Sequence, residues 1–341
     1  MLKIDSGQIE VALFGCGAWG INHARILVSL PYVSTLHLCD KDASRVGQLS
    51  SLYCKVRTSS QEEILANPKI KAAIIATPAA SHASLVQACL KAGKHTLVEK
   101  PFTMNVTAAL ELVKLAEKKN LNLFVGYVLL YHPAFRKLKE FKRELGQLYY
   151  IRAVRTNFGF VRGDVSVLWD LAPHDISMIL ELIEEDPDWI IATGASFVKQ
   201  DFADIVEIQI HFPSGQVAHV HLSWIDPLKE RRLTVVGSRK MFIFDDMEPT
   251  EKLRIYDFTM SHSHSLTDDF YFRFGDIFLP QIDSIEPLRA QDEFFLSYVI
   301  KNKINPESGK FALRVEQVLA AAEQSMLLLG EKVDFREFVK H

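Results

Sequence analysis

Several signatures that would settle the class of this 341-residue chain are missing from it. Cysteine is sparse: Cys16, Cys39, Cys54 and Cys89 are scattered, form no C-x-x-C pair, and three lie in or beside apolar segments. That excludes a disulfide framework and a zinc knuckle, and most of the four read as small buried hydrophobes. An excess of one charge is also missing, since 39 basic against 42 acidic residues leave a net charge of -3. No chain-wide footprint for nucleic acid or an anionic membrane follows from that balance. No apolar run approaches the roughly 20 residues that cross a bilayer. The opening MLKIDSGQIE has neither the basic nor the apolar segment of a secretory signal, so the expected address is the cytoplasm. There is no internal repeat and no low-complexity stretch. What is present, 48% hydrophobic and 24% charged residues with 16 Gly and 13 Pro, is the composition of a folded globular protein long enough for two domains.

From Ile9 to about Gly126, short apolar runs alternate with stretches of helical period, the rhythm of βαβ units and a parallel sheet. The runs are Ile9 to Phe14, Thr35 to Cys39, Ala72 to Ala76, His95 to Val98 and Leu121 to Val125. Helices are expected at Gly20 to Leu30, Ala43 to Leu52, Ala80 to Ala92 and Val106 to Asn120, with Ser60 and Glu63 spaced as a capping box for a shorter one. Beyond Gly126 the rhythm changes to helix, strand, helix and then closely spaced strands with Pro213-Ser214-Gly215 and Gly237-Ser238-Arg239 turns. The expected organisation is an α/β domain over residues 1–125, then an α+β domain over residues 126–341 with a largely antiparallel, open-faced sheet. Val206, Ile208 and Ile210 alternate with Glu207, Gln209 and His211, so one face of that sheet is polar and meets either water or a polar subunit interface.

The first run ends in Gly15-Cys16-Gly17-Ala18-Trp19-Gly20, a G-x-G-x-x-G set between a strand and a helix. Such glycines permit a tight turn, close approach of backbone to a pyrophosphate and close helix packing, while the helix N-terminus offers N–H donors and a positive dipole end. Asp40 ends the second run, placed to bond both hydroxyls of an adenine ribose and to repel a 2'-phosphate, which favours NAD over NADP. Ala76-Thr77-Pro78, with His82, and Glu99-Lys100-Pro101 follow the next two long runs. Both segments should border the crevice, because ligands of an open parallel sheet lie beyond the carboxyl ends of its strands. There the Lys100 ammonium can bond a substrate hydroxyl and favour a developing oxyanion; the alternative is a solvated loop lysine. His82 is either a cofactor neighbour or a helix-surface histidine.

In the second half, Trp169-Asp170-Leu171-Ala172-Pro173-His174-Asp175 puts Asp170 and His174 at i and i+4. On a helix they share a face, and the carboxylate can orient the imidazole. Together with the glycine motif, Thr77-Pro78 with His82, and Glu99-Lys100-Pro101, this segment resembles the glucose-fructose oxidoreductase, inositol dehydrogenase and MocA (Gfo/Idh/MocA) family over nearly the whole chain. The resemblance implies a Rossmann domain binding NAD and a substrate domain that assembles homodimers or homotetramers. It makes Lys100 the active-site lysine, before a proline often in cis, with Asp170 and His174 completing a polar triad in which His174 is the general base. It assigns Gly15, Gly17, Ala18, Trp19, Gly20, Asp40, Thr77, Pro78, His82, Glu99, Lys100 and Trp169 to the cofactor, and leaves Asp175 structural.

The wording W-D-L-A-P-H-D looks like the branch acting on nucleotide-linked amino sugars, which implies a sugar or UDP-sugar substrate oxidised at C3 of a UDP-N-acetylhexosamine. A free sugar or inositol as substrate, and a non-catalytic NAD-binding regulator, remain as other readings. Arg155 or Arg162 would meet the diphosphate, since a guanidinium forks onto two phosphate oxygens, or be surface charge. Tyr127 and Tyr131 would line the sugar pocket with Lys100 and His174, or pack. Tyr131-His132-Pro133 departs from the family, whose members often carry an Arg, Phe or Asn run before that proline. Ser261-His262-Ser263-His264 and the pair His219 and His221 are histidine alternations without a matching Cys, Asp or Glu motif, so no metal is expected.

Overall fold

The computed structural model describes residues 8–159, 163, 165–198, 200, 202–262 and 270–340; at 259–262 and 270–272 the description is of backbone alone. Two compact units emerge, one made of Met1–Val128 and Glu286–Glu316, the other of Leu129–Ile285 and Gln317–His341.

In the first unit a six-stranded parallel sheet is built from β1 (Ile9–Phe14), β2 (Val33–Cys39), β3 (Val56–Thr58), β4 (Ile70–Ile75), β5 (His95–Val98) and β6 (Leu123–Val125). The strands lie in the order β3-β2-β1-β4-β5-β6, so the topology reverses between β1 and β4. Between them run α1 (Ala18–Ser29), α2 (Ala43–Leu52), α3 (Gln61–Ala66), α4 (His82–Lys91) and α5 (Val106–Lys119). Helices on a parallel sheet cover both its faces, which is why Val11 to Phe14, Ala72 to Ile75 and Leu97 to Val98 are unbroken apolar runs and wholly buried. The expected capping box closes at α3: Ser60 Oγ accepts from Glu63 N and the Glu63 carboxylate accepts from Ser60 N. Helix α5 starts under the Asn105 side chain and stops at Asn120, which is left-handed at φ 54°.

The second unit opens with α6 (Pro133–Phe141), β7 (Leu148–Thr156) and α7 (Val167–Ile183), followed by β8 (Trp189–Ala195), β9 (Ile205–His211), β10 (Val217–Ser223), β11 (Glu230–Gly237), β12 (Lys240–Asp245), β13 (Leu253–His262) and β14 (Phe270–Phe278). The Tyr131-His132-Pro133 departure is a helix start: His132 is the N-cap, its Nδ1 accepting from Ala134 N at 3.0 Å, with Pro133 at the first helical position. The chain then supplies α8 (Pro287–Ile300) and α9 (Pro306–Leu327), and ends with β15 (Val333–Asp334) and α10 (Phe335–Phe338).

A nine-stranded sheet runs β14-β13-β12-β11-β7-β10-β9-β8-β15, antiparallel except for the β7 and β10 pair. Val206, Ile208, Ile210, Ala218, Val220 and Leu222 are buried on the face under α7, while the alternate Glu207, Gln209, His219 and His221 face outward, as the alternation predicts. The division expected at residues 125 and 126 needs one correction. Residues Glu286–Glu316 belong with the first unit, because Leu288, Phe295, Leu296 and Val299 of α8 share a core with Ala24, Ile26 and Leu27 of α1. Strands β3 and β15, three and two residues long, and the longer β8 and β14 correspond to no run named from the sequence above.

Candidate active site

The glycine motif forms the turn expected of it. Gly15 sits at φ +93°, where a Cβ would stand 2.5 Å from the Ala76 carbonyl oxygen, and a Cβ on Gly20 would stand 2.0 Å from the Gly15 oxygen. The first and third glycines are therefore dictated by the protein's own packing. Gly17 is different: a Cβ there meets only Arg45 Nη1, at 3.7 Å, so its missing side chain leaves open space above the turn. Gly17 is also the N-cap of α1, with no side-chain cap and no acidic residue in the first turn. Uncapped amides, the dipole end and an open cradle fit an anionic pyrophosphate. Ala18 and Trp19 continue the turn, Trp19 being 44% exposed. Asp40 is half-buried and latches the loop, Oδ2 accepting from Cys16 N at 2.6 Å and Oδ1 from Asp42 N at 2.8 Å. A carboxylate has about four lone-pair directions, so acceptor capacity remains for ribose hydroxyls.

The ends of β4 and β5 are tied together by His82. Only 1% exposed, its Nε2 lies 2.8 Å from the Thr77 carbonyl oxygen and its Nδ1 2.8 Å from that of Pro101. It therefore spans the Thr77-Pro78 and Lys100-Pro101 turns instead of facing solvent, while Thr77 Oγ1 is 2.7 Å from Ser81 Oγ. The Lys100-Pro101 bond is cis, and Lys100 is half-buried beside the buried Glu99. Two residues on, Thr103 is held by Glu316, whose carboxylate accepts from Thr103 N and Thr103 Oγ1 at 2.6 Å each. Burial raises the Glu316 carboxyl to about 7 even though both Thr103 bonds favour its charge.

Helix α7 carries the second-unit residues. Most of it is buried, and Asp170, Leu171, His174 and, two turns on, Glu181 are half-buried, so the i and i+4 polar pair stands where the helix is partly open. The Trp224 indole donates to Asp170 Oδ2 at 3.3 Å. Asp175, on another face, is buried and receives the Arg155 fork, Nε to Oδ2 at 2.6 Å and Nη2 to Oδ1 at 3.0 Å. Burial works against the Arg155 charge, and Asp175 outweighs it and raises the guanidinium pKa.

Tyr127, Tyr131 and Trp169 have partners of their own. Tyr127 is 3% exposed, edge-on to Phe311, and burial raises its phenol well above the usual range. Tyr131 is half-buried under the Arg136 guanidinium, 5.2 Å from its ring centre. Trp169 is 3% exposed and donates to Glu323 at 2.8 Å. Arg162, with His264, lies outside the described residues. Among the described residues no three His, Cys, Asp or Glu side chains form a metal-holding group, and no helix is long and apolar enough to cross a membrane. Sequence reasoning missed Trp224, Glu316 and His23; nothing local marks them, because each acts on a partner 54 or more positions away.

Comparison with known proteins matches parts of both halves of the chain. Residues 9–127 match the oxidoreductase family NAD-binding Rossmann fold, and residues 135–243 match the GFO/IDH/MocA C-terminal domain. A UDP-N-acetylglucosamine 3-dehydrogenase of Acidithiobacillus ferrooxidans is 27% identical over 73% of this chain and 77% of its own. Its solved structure superposes with a TM-score of 0.78 at 25% identity, over 94% of this chain and 97% of that one. The myo-inositol 2-dehydrogenase of Thermotoga maritima is 22% identical over 71% of this chain and 77% of its own. GenD2 from gentamicin A biosynthesis, solved in complex with NAD, shares the fold at 21% identity with a TM-score of 0.81, over 96% of this chain and 97% of that one. With an NAD-binding first domain and the matching C-terminal domain, the chain belongs to the Gfo/Idh/MocA family of oxidoreductases.

Proposed function

We propose that this oxidoreductase is an NAD-dependent dehydrogenase that oxidises a secondary hydroxyl of a nucleotide-linked amino sugar, C3 of a UDP-N-acetylhexosamine, to the ketone. The observation that carries the reading is that Asp170 and His174, one turn apart on α7, are half-buried where most of the helix is closed by packing. A half-buried polar pair one turn apart has the form of a base and its orienting carboxylate. NAD, when bound, accepts the hydride. His174 takes the hydroxyl proton, Asp170 steadies the imidazole while the Trp224 indole holds Asp170, and Lys100 positions the hydroxyl and favours its developing negative charge. The likeness to the Acidithiobacillus enzyme supports the nucleotide-sugar branch.

One observation favours a second reading, a free cyclitol such as inositol: the Arg155 fork, one of the two expected on a diphosphate, is engaged by Asp175. An assay of NAD reduction with UDP-N-acetylglucosamine, UDP-N-acetylglucosaminuronate, free N-acetylglucosamine and inositol separates the two. Turnover confined to the UDP sugars is the expected result, and turnover on inositol alone refutes the nucleotide-sugar reading. Lys100→Met should lower kcat by about 10²- to 10⁴-fold with NADH affinity retained; full turnover in that variant removes Lys100 from the chemistry.

A further inference from the structure

Helix α1 begins at the glycine turn, and early in its second turn His23 is wholly buried. Its Nε2 lies 3.0 Å from Glu99 Oε1, and its Nδ1 lies 3.1 and 3.0 Å from the two Asp292 oxygens. Both partners are carboxyl groups, an arrangement that favours an imidazolium donating from both ring nitrogens. Burial works against that charge, but Asp292 and Glu99 outweigh it, and the ring stays charged up to about pH 10. Burial also raises Asp292, the nearby Glu99 charge adds to that, and the His23 ring opposes it.

These contacts join three elements of the first unit: α1 with the cofactor turn at its N-terminus, the end of β5 where Glu99 precedes Lys100, and α8. Gly126 closes the arrangement, since a Cβ there would stand 2.7 Å from Glu99 Oε1 and leave the carboxylate no room. We propose that His23 is a positioning residue of the NAD site: its buried ring fixes the helix that meets the pyrophosphate against the strand end bearing Lys100, and Asp292 holds the ring from behind. The inference concerns NAD binding and stands whichever sugar the enzyme oxidises. Glu99, just after β5, and Asp292 from α8 are the charges on the ring; Tyr32 lies near Asp292 and itself faces Glu293 and Arg289.

The test is NADH affinity, read by fluorescence titration without substrate at about pH 5.5 and about pH 8.5, at temperatures where circular dichroism shows each protein folded. Wild type should bind equally at both, because the ring is charged throughout that range. His23→Gln leaves two buried carboxylates without their cation and should bind about tenfold or more weakly at the higher pH, recovering at the lower as a carboxyl takes up a proton. His23→Gln/Asp292→Asn removes one of those carboxylates and should bind within roughly threefold of wild type with little pH dependence. Wild-type affinity of His23→Gln at the higher pH overturns the proposal, and so does a loss of equal size at both pH values, the mark of a merely structural role. Should His23→Gln not fold, nitrogen NMR of the wild-type histidine decides: an imidazolium at about pH 8.5 is the expected state, and a neutral ring there overturns the proposal.

Discussion

Removing Asp175 while leaving Arg155 should be among the most damaging single changes available in the second unit. The two side chains are 2% and 7% exposed, and the fork makes two bonds of 2.6 and 3.0 Å. In Asp175→Ala the guanidinium stays buried with its principal counter-charge gone, which costs about 3–5 kcal/mol. For a unit of this size each kcal/mol moves the melting midpoint by about 2–4 °C, so a fall of roughly 10 °C is expected. Arg155→Met/Asp175→Leu removes both charges, fills similar volume and should recover most of the loss. Calorimetry and urea titration of the three proteins measure these differences. A single-variant cost below about 1 kcal/mol, or a double variant no better than the single, would refute the buried-pair argument. The double variant also tests the role of Arg155. If the guanidinium serves α7 alone, affinity for UDP is unchanged in the folded double variant. If it clamps a diphosphate, that affinity falls about tenfold or more.

Three further expectations rest on single groups. Glu316 ionises at about 7 in the folded protein against about 4.3 when unfolded, so the folded state holds its proton more tightly. Stability is therefore greatest below the unfolded value and falls by about 3 kcal/mol as pH rises to 7 and beyond; urea midpoints should show this slope, and Glu316→Gln should flatten it. Asp40→Ala loses both the latch on Cys16 N and the acceptors for ribose, about 1.5–3 kcal/mol, and should weaken NADH roughly ten- to hundredfold by fluorescence titration. Cys16, 1% exposed and pushed by burial to about 12, should resist iodoacetamide while the exposed Cys54 reacts, as peptide mass spectrometry would show.

Where an element's pattern is dictated by its own packing, the sequence is enough to find it. Strands β1 and β5 and helix α2 begin and end where their apolar runs and caps do. The first two are covered on both faces and read as unbroken apolar runs; α2 starts at an Asp42 cap. Strands β3 and β15, with three and two residues, are too short to display a period at all. The membership of α8 in the first unit was beyond reach for a different reason: an amphipathic helix shows that it has a buried face but not which core buries it.

The same distinction separates the parts of the site. The glycine turn and the Asp170 and His174 pair are local, and their chemistry follows from spacing along one turn or one helix face. The buried charges are not local. Read alone, Arg155 on a strand looks like a free cation for an anionic ligand, and His23 looks like one more helix-face histidine, because nothing within a few residues of either is its partner. Asp175 is 20 positions from Arg155, while Glu99 and Asp292 are 76 and 269 positions from His23. Yet the energetics make these partners obligatory, since a charge taken out of water persists only when another charge and well-placed hydrogen bonds meet it. A charged or titratable residue embedded in an apolar run is thus a sign that some distant residue of opposite charge folds against it. In this protein two of those distant residues, Glu99 and Asp175, are the chain neighbours of Lys100 and His174.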